Sequence, residues 1–134
     1  MTENKRELKS VINRLFVEED KESGIESNFK SFAYSIKDND EKVLGGIAGY
    51  RVFDEIYVNE LCIDKSIRGQ GLGKKLLETV EREVNDGTCE NITLDTVDFQ
   101  NAVGFYKKCG FEIEFVRKHK DNKKLDKYYM IKKL

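Results

Sequence analysis

The 134 residues carry 24 Lys and Arg against 25 Asp and Glu, with one His, three Cys and no Pro. A chain of this length buries one hydrophobic core, so residues 1–134 are expected to form a single domain. The near-balanced charge offers no global field for nucleic acid or an anionic membrane. No apolar run approaches the roughly 18 residues of a membrane-spanning helix, so the expectation is a cytoplasmic protein with no nucleic-acid and no membrane partner.

In chain order, residues 1–10 are charged and lack the apolar stretch of an export signal. Leu8, Val11, Ile12, Leu15 and Phe16 then recur at helical spacing, which predicts an amphipathic helix over residues 4–20 lying on a sheet. Glu18, Glu19, Asp20, Glu22 and Glu26 cluster after it, as a solvated helix end or as an attraction for a cationic amine. Residues 29–37 read as a strand, Asp38-Asn39-Asp40 as a turn, and residues 43–53 as the partner strand of a hairpin, with Gly45, Gly46 and Gly49 inside it. A third strand covers residues 56–64. Strict alternation places Tyr57, Asn59, Leu61 and Ile63 on one face of it and Val58, Glu60 and Cys62 on the other.

Residues 71–86 form the next helix, with Leu72, Leu76, Leu77, Val80 and Val84 in one stripe and Glu78 paired with Arg82 on another face. Residues 91–97 alternate as a strand, residues 102–108 make a short helix closed by Gly110, and residues 111–117 with 125–131 form a last hairpin. This order implies an α/β (α+β) fold: a mixed, mostly antiparallel sheet of about six strands with helices on both faces.

Cys62, Cys89 and Cys109 are widely spaced, odd in number and unaccompanied by a histidine cluster, so reduced thiols and no metal are expected. Cys62 and Cys109 lie among apolar neighbours and read as small core residues rather than nucleophiles. His119 falls in the lysine-rich stretch 118–124, a surface turn, which removes the base a histidine-dependent hydrolase needs.

Between a buried-looking strand and an amphipathic helix stands Arg68-Gly69-Gln70-Gly71-Leu72-Gly73-Lys74. Glycine lets a ligand approach the main chain, and the first N–H groups of a helix have no internal partner and present positive potential. A phosphate satisfies them, and Arg68, Lys74 and Lys75 add charge. The alternating glycines fit neither the dinucleotide fingerprint nor the Walker loop. The remaining alternative is a tight turn that binds nothing.

Arg68, Gly71 and Gly73 match the signature of the GNAT superfamily of acyl-CoA N-acyltransferases, and the chain resembles that family. The preceding Glu60-Leu61-Cys62-Ile63-Asp64 resembles its first-motif strand, and Ala102-Val103-Gly104-Phe105-Tyr106-Lys107-Lys108-Cys109-Gly110-Phe111 its second motif. The resemblance runs from about residue 29 to the C-terminus and is loose before it, where the family usually has a strand ahead of its first helices. It implies a GNAT-like fold and acetyl-CoA as cosubstrate. The pantetheine arm would lie along Leu61, Cys62 and Ile63, and the pyrophosphate on the main chain of Arg68, Gly69, Gln70, Gly71, Leu72, Gly73 and Lys74. The implied reaction is direct attack by a primary amine on the thioester.

Tyr106 matches the tyrosine that would protonate the departing thiolate; its alternative role is packing the short helix. For the base, the ranking is Asp95, then a water held by Asn59, then Glu60; each is otherwise an ordinary polar strand residue. Where the family carries an arm-binding asparagine, this chain has Phe99, with Gln100 or Asn101 as substitutes. The expected acceptor is a small-molecule amine. The alternatives are a protein amine, a non-catalytic acetyl-CoA-binding regulatory module and an interaction domain; a homodimer is compatible with the edge strand of the last hairpin.

Overall fold

The computed structural model describes residues 4–25 and 28–134. Asn4 caps the first helix, α1 (Lys5–Ser23), by accepting from the Glu7 backbone N–H, and Gly24 closes it in the left-handed conformation. The helix is three residues longer than its periodicity predicts at the C-terminal end, and it buries none of its residues. The expectation that it lies on the sheet is therefore corrected. Periodicity says only that a face needs cover, not what covers it. Glu26, the last member of the acidic cluster, lies outside the described residues.

Strands β1 (Lys30–Lys37), β2 (Val43–Val52) and β3 (Glu55–Ile63) form an antiparallel meander. Asp38 sets its first turn, its carboxylate accepting from the backbone N–H of Asp40 and Lys42. Helix α2 (Leu72–Val84) carries the chain across to β4 (Asn91–Val97), which pairs parallel to β3. Helix α3 (Val103–Lys108) leads to β5 (Glu112–Arg117) and β6 (Lys127–Lys133). The six strands form one sheet in the order β1-β2-β3-β4-β6-β5. Every pairing except β3 with β4 is antiparallel, which is the mixed sheet the strand pattern predicts, but α2 and α3 share one core on a single face, so the expected helices on both faces are not found among the described residues.

The stripe of α2 buries Leu76, Leu77, Val80 and Val84 against Phe32, Ile47, Ile56, Val58, Ile92, Leu94 and Met130, and Tyr106 of α3 joins the same core. Two tethers hold α2 down. Arg51 donates from Nη1 to the Val84 carbonyl at 2.8 Å, satisfying a helix-end acceptor, and Lys132 meets Glu81 at 2.5 Å. On the outer face of α2, Arg82 bonds Glu83 rather than the expected Glu78.

One irregularity in β3 changes the reading of its faces. Ala48 pairs with Glu60, but its neighbour Gly49 pairs with Val58, so Asn59 is an extra residue without a partner on β2. Such a bulge reverses which residues face the core on its far side. Ile56 and Val58 face the core before it, and Leu61 and Ile63 pack against the same core after it. Tyr57, Glu60 and Cys62 consequently share the other face, which corrects the strict alternation expected from the sequence. Cys62 is exposed rather than a core residue, while Cys89 is buried and Cys109 half-buried.

Candidate functional site

Strands β3 and β4 pair only at Glu55, Ile56 and Tyr57 with Asn91, Ile92 and Thr93. Beyond Tyr57 they part, although β3 continues to pair with β2, and β4 with β6, on their outer edges. The facing inner edges are left without a strand partner. A cavity of about 1190 Å³ opens between them and runs to the start of α2.

The cavity gathers nearly all the residues singled out in the sequence. Asn59, Glu60, Leu61, Cys62 and Ile63 line it from β3, and Asp95 from β4. Arg68, Gly69, Gly71, Leu72 and Gly73 line its α2 end, and Gln100, Asn101 and Tyr106 the side formed by α3 and the turn before it. Gln70 and Lys74 do not line it. Lys65, absent from the sequence-based set, does and supplies a cation there; its place follows from a 3-10 turn over Lys65–Ile67 that a sequence motif does not encode.

Gly71 is the N-cap of α2 with φ of 74°, and Gly69 has φ of 79°, so both occupy the left-handed region that glycine enters without strain. No side chain caps this helix and no acidic residue stands in its first turn. In contrast to α1, its leading N–H groups and its dipole are offered to the cavity. The loop before it is braced. Asp64 accepts from the backbone and hydroxyl of Ser66, which hold its carboxyl below the usual range, and Arg68 Nε donates to the Ile63 carbonyl at 2.9 Å.

Tyr106 is only 8 % exposed, wedged edge-on between the rings of Phe105 and Phe111. Among the described residues none of its neighbours bonds the hydroxyl, and no buried side-chain polar atom lacks a partner, so the hydroxyl emerges at the cavity wall. Burial pushes its pKa up to about 12. It is a hydrogen-bond donor at any physiological pH.

Across the sheet, Asp95 Oδ2 accepts from the Tyr57 hydroxyl at 2.6 Å. That bond, followed by desolvation, raises Tyr57 to about 12. Tyr57 was not among the candidates because its nearness to Asp95 comes from the parallel register of β3 and β4, which no local pattern reveals. Gln100 turns back to accept from Thr96 Oγ1 and the Val97 N–H, both at 3.0 Å, which occupies its carbonyl and leaves its amide. His119 lies in a surface turn, its Nδ1 accepting from the backbone of Asp121 and Asn122.

Among the described residues, no group of three His, Cys, Asp or Glu side chains is placed to hold a metal ion, and no helix is long and apolar enough to cross a membrane. The model of the acetyltransferase (GNAT) family matches residues 4–111. An acetyltransferase of Agrobacterium fabrum is 31% identical over 86 residues, 64% of this chain and 62% of the relative. The blasticidin-S acetyltransferase of Streptomyces morookaense is 33% identical over 73 residues, 54% of this chain and 53% of the relative. The chain thus spans between half and two thirds of the length of these two relatives. A crystal structure from Agrobacterium tumefaciens, of a protein proposed to be an acetyltransferase, superposes with a TM-score of 0.83 at 23% identity, covering 100% of this chain and 96% of that one. With its parted β3 and β4, its uncapped glycine-led helix and a family match over most of its length, the chain belongs to the acetyltransferase (GNAT) family.

Proposed function

We propose that this chain transfers the acetyl group of acetyl-CoA to a primary amine, in one direct attack within the cavity between β3 and β4. The observation that carries this is the convergence of two unsatisfied backbone surfaces on one cavity: the strand edge at Leu61 to Ile63 and the uncapped start of α2. An extended amide-containing arm suits the first and a diphosphate the second. Acetyl-CoA carries both groups, spaced along one molecule.

In this reading the N–H groups at Gly71, Leu72 and Gly73 hold the pyrophosphate, with Arg68 and Lys65 at its margin. Gln70 and Lys74, expected beside them, do not line the cavity and take no part in this reading. Leu61, Cys62 and Ile63 hold the arm by their backbone, and the Gln100 amide and Asn101 take the place of the family's asparagine. The Tyr106 hydroxyl, unbonded and facing the cavity, donates to the leaving sulfur. An amine must lose its proton before or during attack, and Asp95 is the base, its free oxygen turned to the acceptor while Tyr57 holds the other. The bulge at Asn59 brings Glu60 onto the face of Tyr57 and Asp95, so Glu60 attracts the cationic acceptor or relays its proton, and a water on Asn59 is the remaining route.

The acceptor is a small-molecule amine. Glu60 and Asp95 line the cavity and favour a cation, and the relative named for blasticidin S acts on a small molecule by its name. The test is release of free thiol from acetyl-CoA across a panel of small amines and lysine-containing peptides, with calorimetry of acetyl-CoA binding alongside. The proposal fails if acetyl-CoA gives no binding heat; binding without turnover on any amine would favour a non-catalytic acetyl-CoA-binding module.

A further inference from the structure

Beside Asp95 the sheet carries aromatic and basic side chains that coenzyme binding does not use. Asp95 of β4 stands opposite Tyr129 of β6, Tyr129 stands opposite Phe115 of β5, and two residues along Lys127 stands opposite Arg117. Leu94 and Met130, next to Asp95 and Tyr129 in the chain, point into the core, so Asp95 and Tyr129 point the other way, onto the face that α2 and α3 leave open. Residues opposite one another share a face, which brings Phe115, Arg117 and Lys127 there as well. Tyr57, bonded to Asp95, and Tyr50, in ring contact with Tyr57 at 5.4 Å, extend the same face over β3 and β2.

The charges on this face are sorted by strand. Glu60 and Asp95 are the acids of β3 and β4 that line the cavity, and Lys127 and Arg117 are the bases of β6 and β5 beyond it. Among the described residues the acids and the bases form no ion pair with each other, and neither base forms one elsewhere. Tyr129 stands between them. Its ring meets Phe115 at 5.8 Å, and the Arg117 guanidinium lies over it, 5.5 Å from the ring centre. A guanidinium on a ring keeps the donors at its edge for a planar acceptor, and a carboxylate fits that fork with two bonds. The backbones of β4 and β5 are two strand spacings apart, roughly 10 Å, and the reach of Arg117 over Tyr129 narrows the gap between its charge and that of Asp95.

Within the transfer reaction proposed above, on which this rests, we infer that the acceptor is an α-amino acid with a large apolar side chain. Its ammonium sits at Asp95 and Glu60, its carboxylate at Arg117 with Lys127 beside it, and its side chain on the rings of Tyr57 and Tyr129. A simple cation is attracted by the acids and repelled by the bases, and a simple anion the reverse; a zwitterion suits both. Its two charges, joined through one carbon, cross the gap with a hydrogen bond at each end. Transfer makes the amide C–N bond and breaks the thioester C–S bond. Of the two protons the ammonium loses, one leaves by way of Asp95 and one balances the thiol of coenzyme A. The amide product no longer carries the positive charge that the acids attract, which favours its release.

The test compares phenylalanine with 2-phenylethylamine, which lacks only the carboxylate, by thiol release from acetyl-CoA. The parent should favour phenylalanine in kcat/KM by at least about tenfold over phenylethylamine, and by a similar factor over alanine. In Arg117→Gln the preference for phenylalanine over phenylethylamine should fall at least about tenfold, through KM more than kcat, and Arg117→Lys should recover only part of it. A melting-temperature rise with acetyl-CoA equal to the parent's shows that each variant is folded around an intact cavity. Calorimetry of phenylalanine into the parent saturated with coenzyme A should show binding that Arg117→Gln weakens by a similar factor. A parent that acetylates phenylethylamine as well as phenylalanine, an Arg117→Gln variant with the parent's preference, or no heat from phenylalanine with the loaded parent overturns the inference. Binding of phenylalanine that depends on Arg117, without turnover, would support this site and count against the transfer reaction.

Discussion

Burial holds the Tyr106 phenol up to about 12, and the bond to Asp95 does the same for Tyr57. Both groups therefore stay neutral in the folded chain after an unfolded tyrosine, near 10, has begun to ionise. Their raised values support the fold below about pH 10 and withdraw that support as pH rises toward 12. Base titration followed by circular dichroism should show stability falling over that interval, and the fall should shrink in Tyr106→Phe if that variant folds. The same shift bears on rate. Activity should rise with pH as the amine deprotonates and show no falling limb near 10, whereas an unshifted phenolic acid would produce one. Tyr106→Phe should lower kcat about a hundredfold with little change in acetyl-CoA affinity, as expected for loss of a general acid. Asp95→Asn should cost a similar factor and Tyr57→Phe about tenfold in kcat, both with little change in acetyl-CoA affinity. A Glu60→Gln variant slower than Asp95→Asn would exchange the two roles.

The bulge in β3 and the glycines beside it decide how that strand serves both core and cavity. Deleting Asn59 would remove the extra residue and leave Val58 and Glu60 consecutive opposite Gly49 and Ala48, so Leu61 and Ile63 keep facing the core and the deletion should still fold, whereas inserting a residue after Asn59 should turn them out and give an unfolded or insoluble chain, as judged by soluble yield and melting temperature. Asn59→Ala keeps the residue count and should fold. On β2, a Cβ at Gly49 would collide with the Tyr57 carbonyl oxygen, where the obstacle is backbone, so Gly49→Ala should destabilise the chain by about 1–3 kcal/mol in chemical denaturation. At the start of α2 a different cost applies. A Gly71→Val substitution meets nothing within 4 Å but forces a β-branched residue to φ of 74°, which should weaken acetyl-CoA binding by distorting the turn that presents the N–H groups.

The sheet divides the chain's chemistry into two layers. One face is closed by α2 and α3 over a continuous core, and the other carries Tyr50, Tyr57, Glu60 and Asp95 and reaches the cavity where β3 and β4 part. Coenzyme binding should consequently stabilise the folded chain as a unit, because its proposed contacts span the β3 edge, the α2 start and α3. At 100 times its dissociation constant, acetyl-CoA should add about 2.7 kcal/mol, read as a raised melting temperature. That gain should persist in Asp95→Asn and Tyr106→Phe, and fall in a Gly71→Val variant.

Local patterning was enough for much of this. The 3.6-residue stripe of α2, the alternation of β4 and the glycine turn before α2 are properties of short segments, and so the strands, the helices and the glycine-led start of α2 could be read from residue order alone. The pairing of Asp95 with Tyr57, the exposure of Cys62, the face of Glu60 and the bare stripe of α1 could not. Each depends on a register between strands distant in sequence, or on whether one element touches another, and those are settled by how the whole sheet packs rather than by any stretch of neighbouring residues.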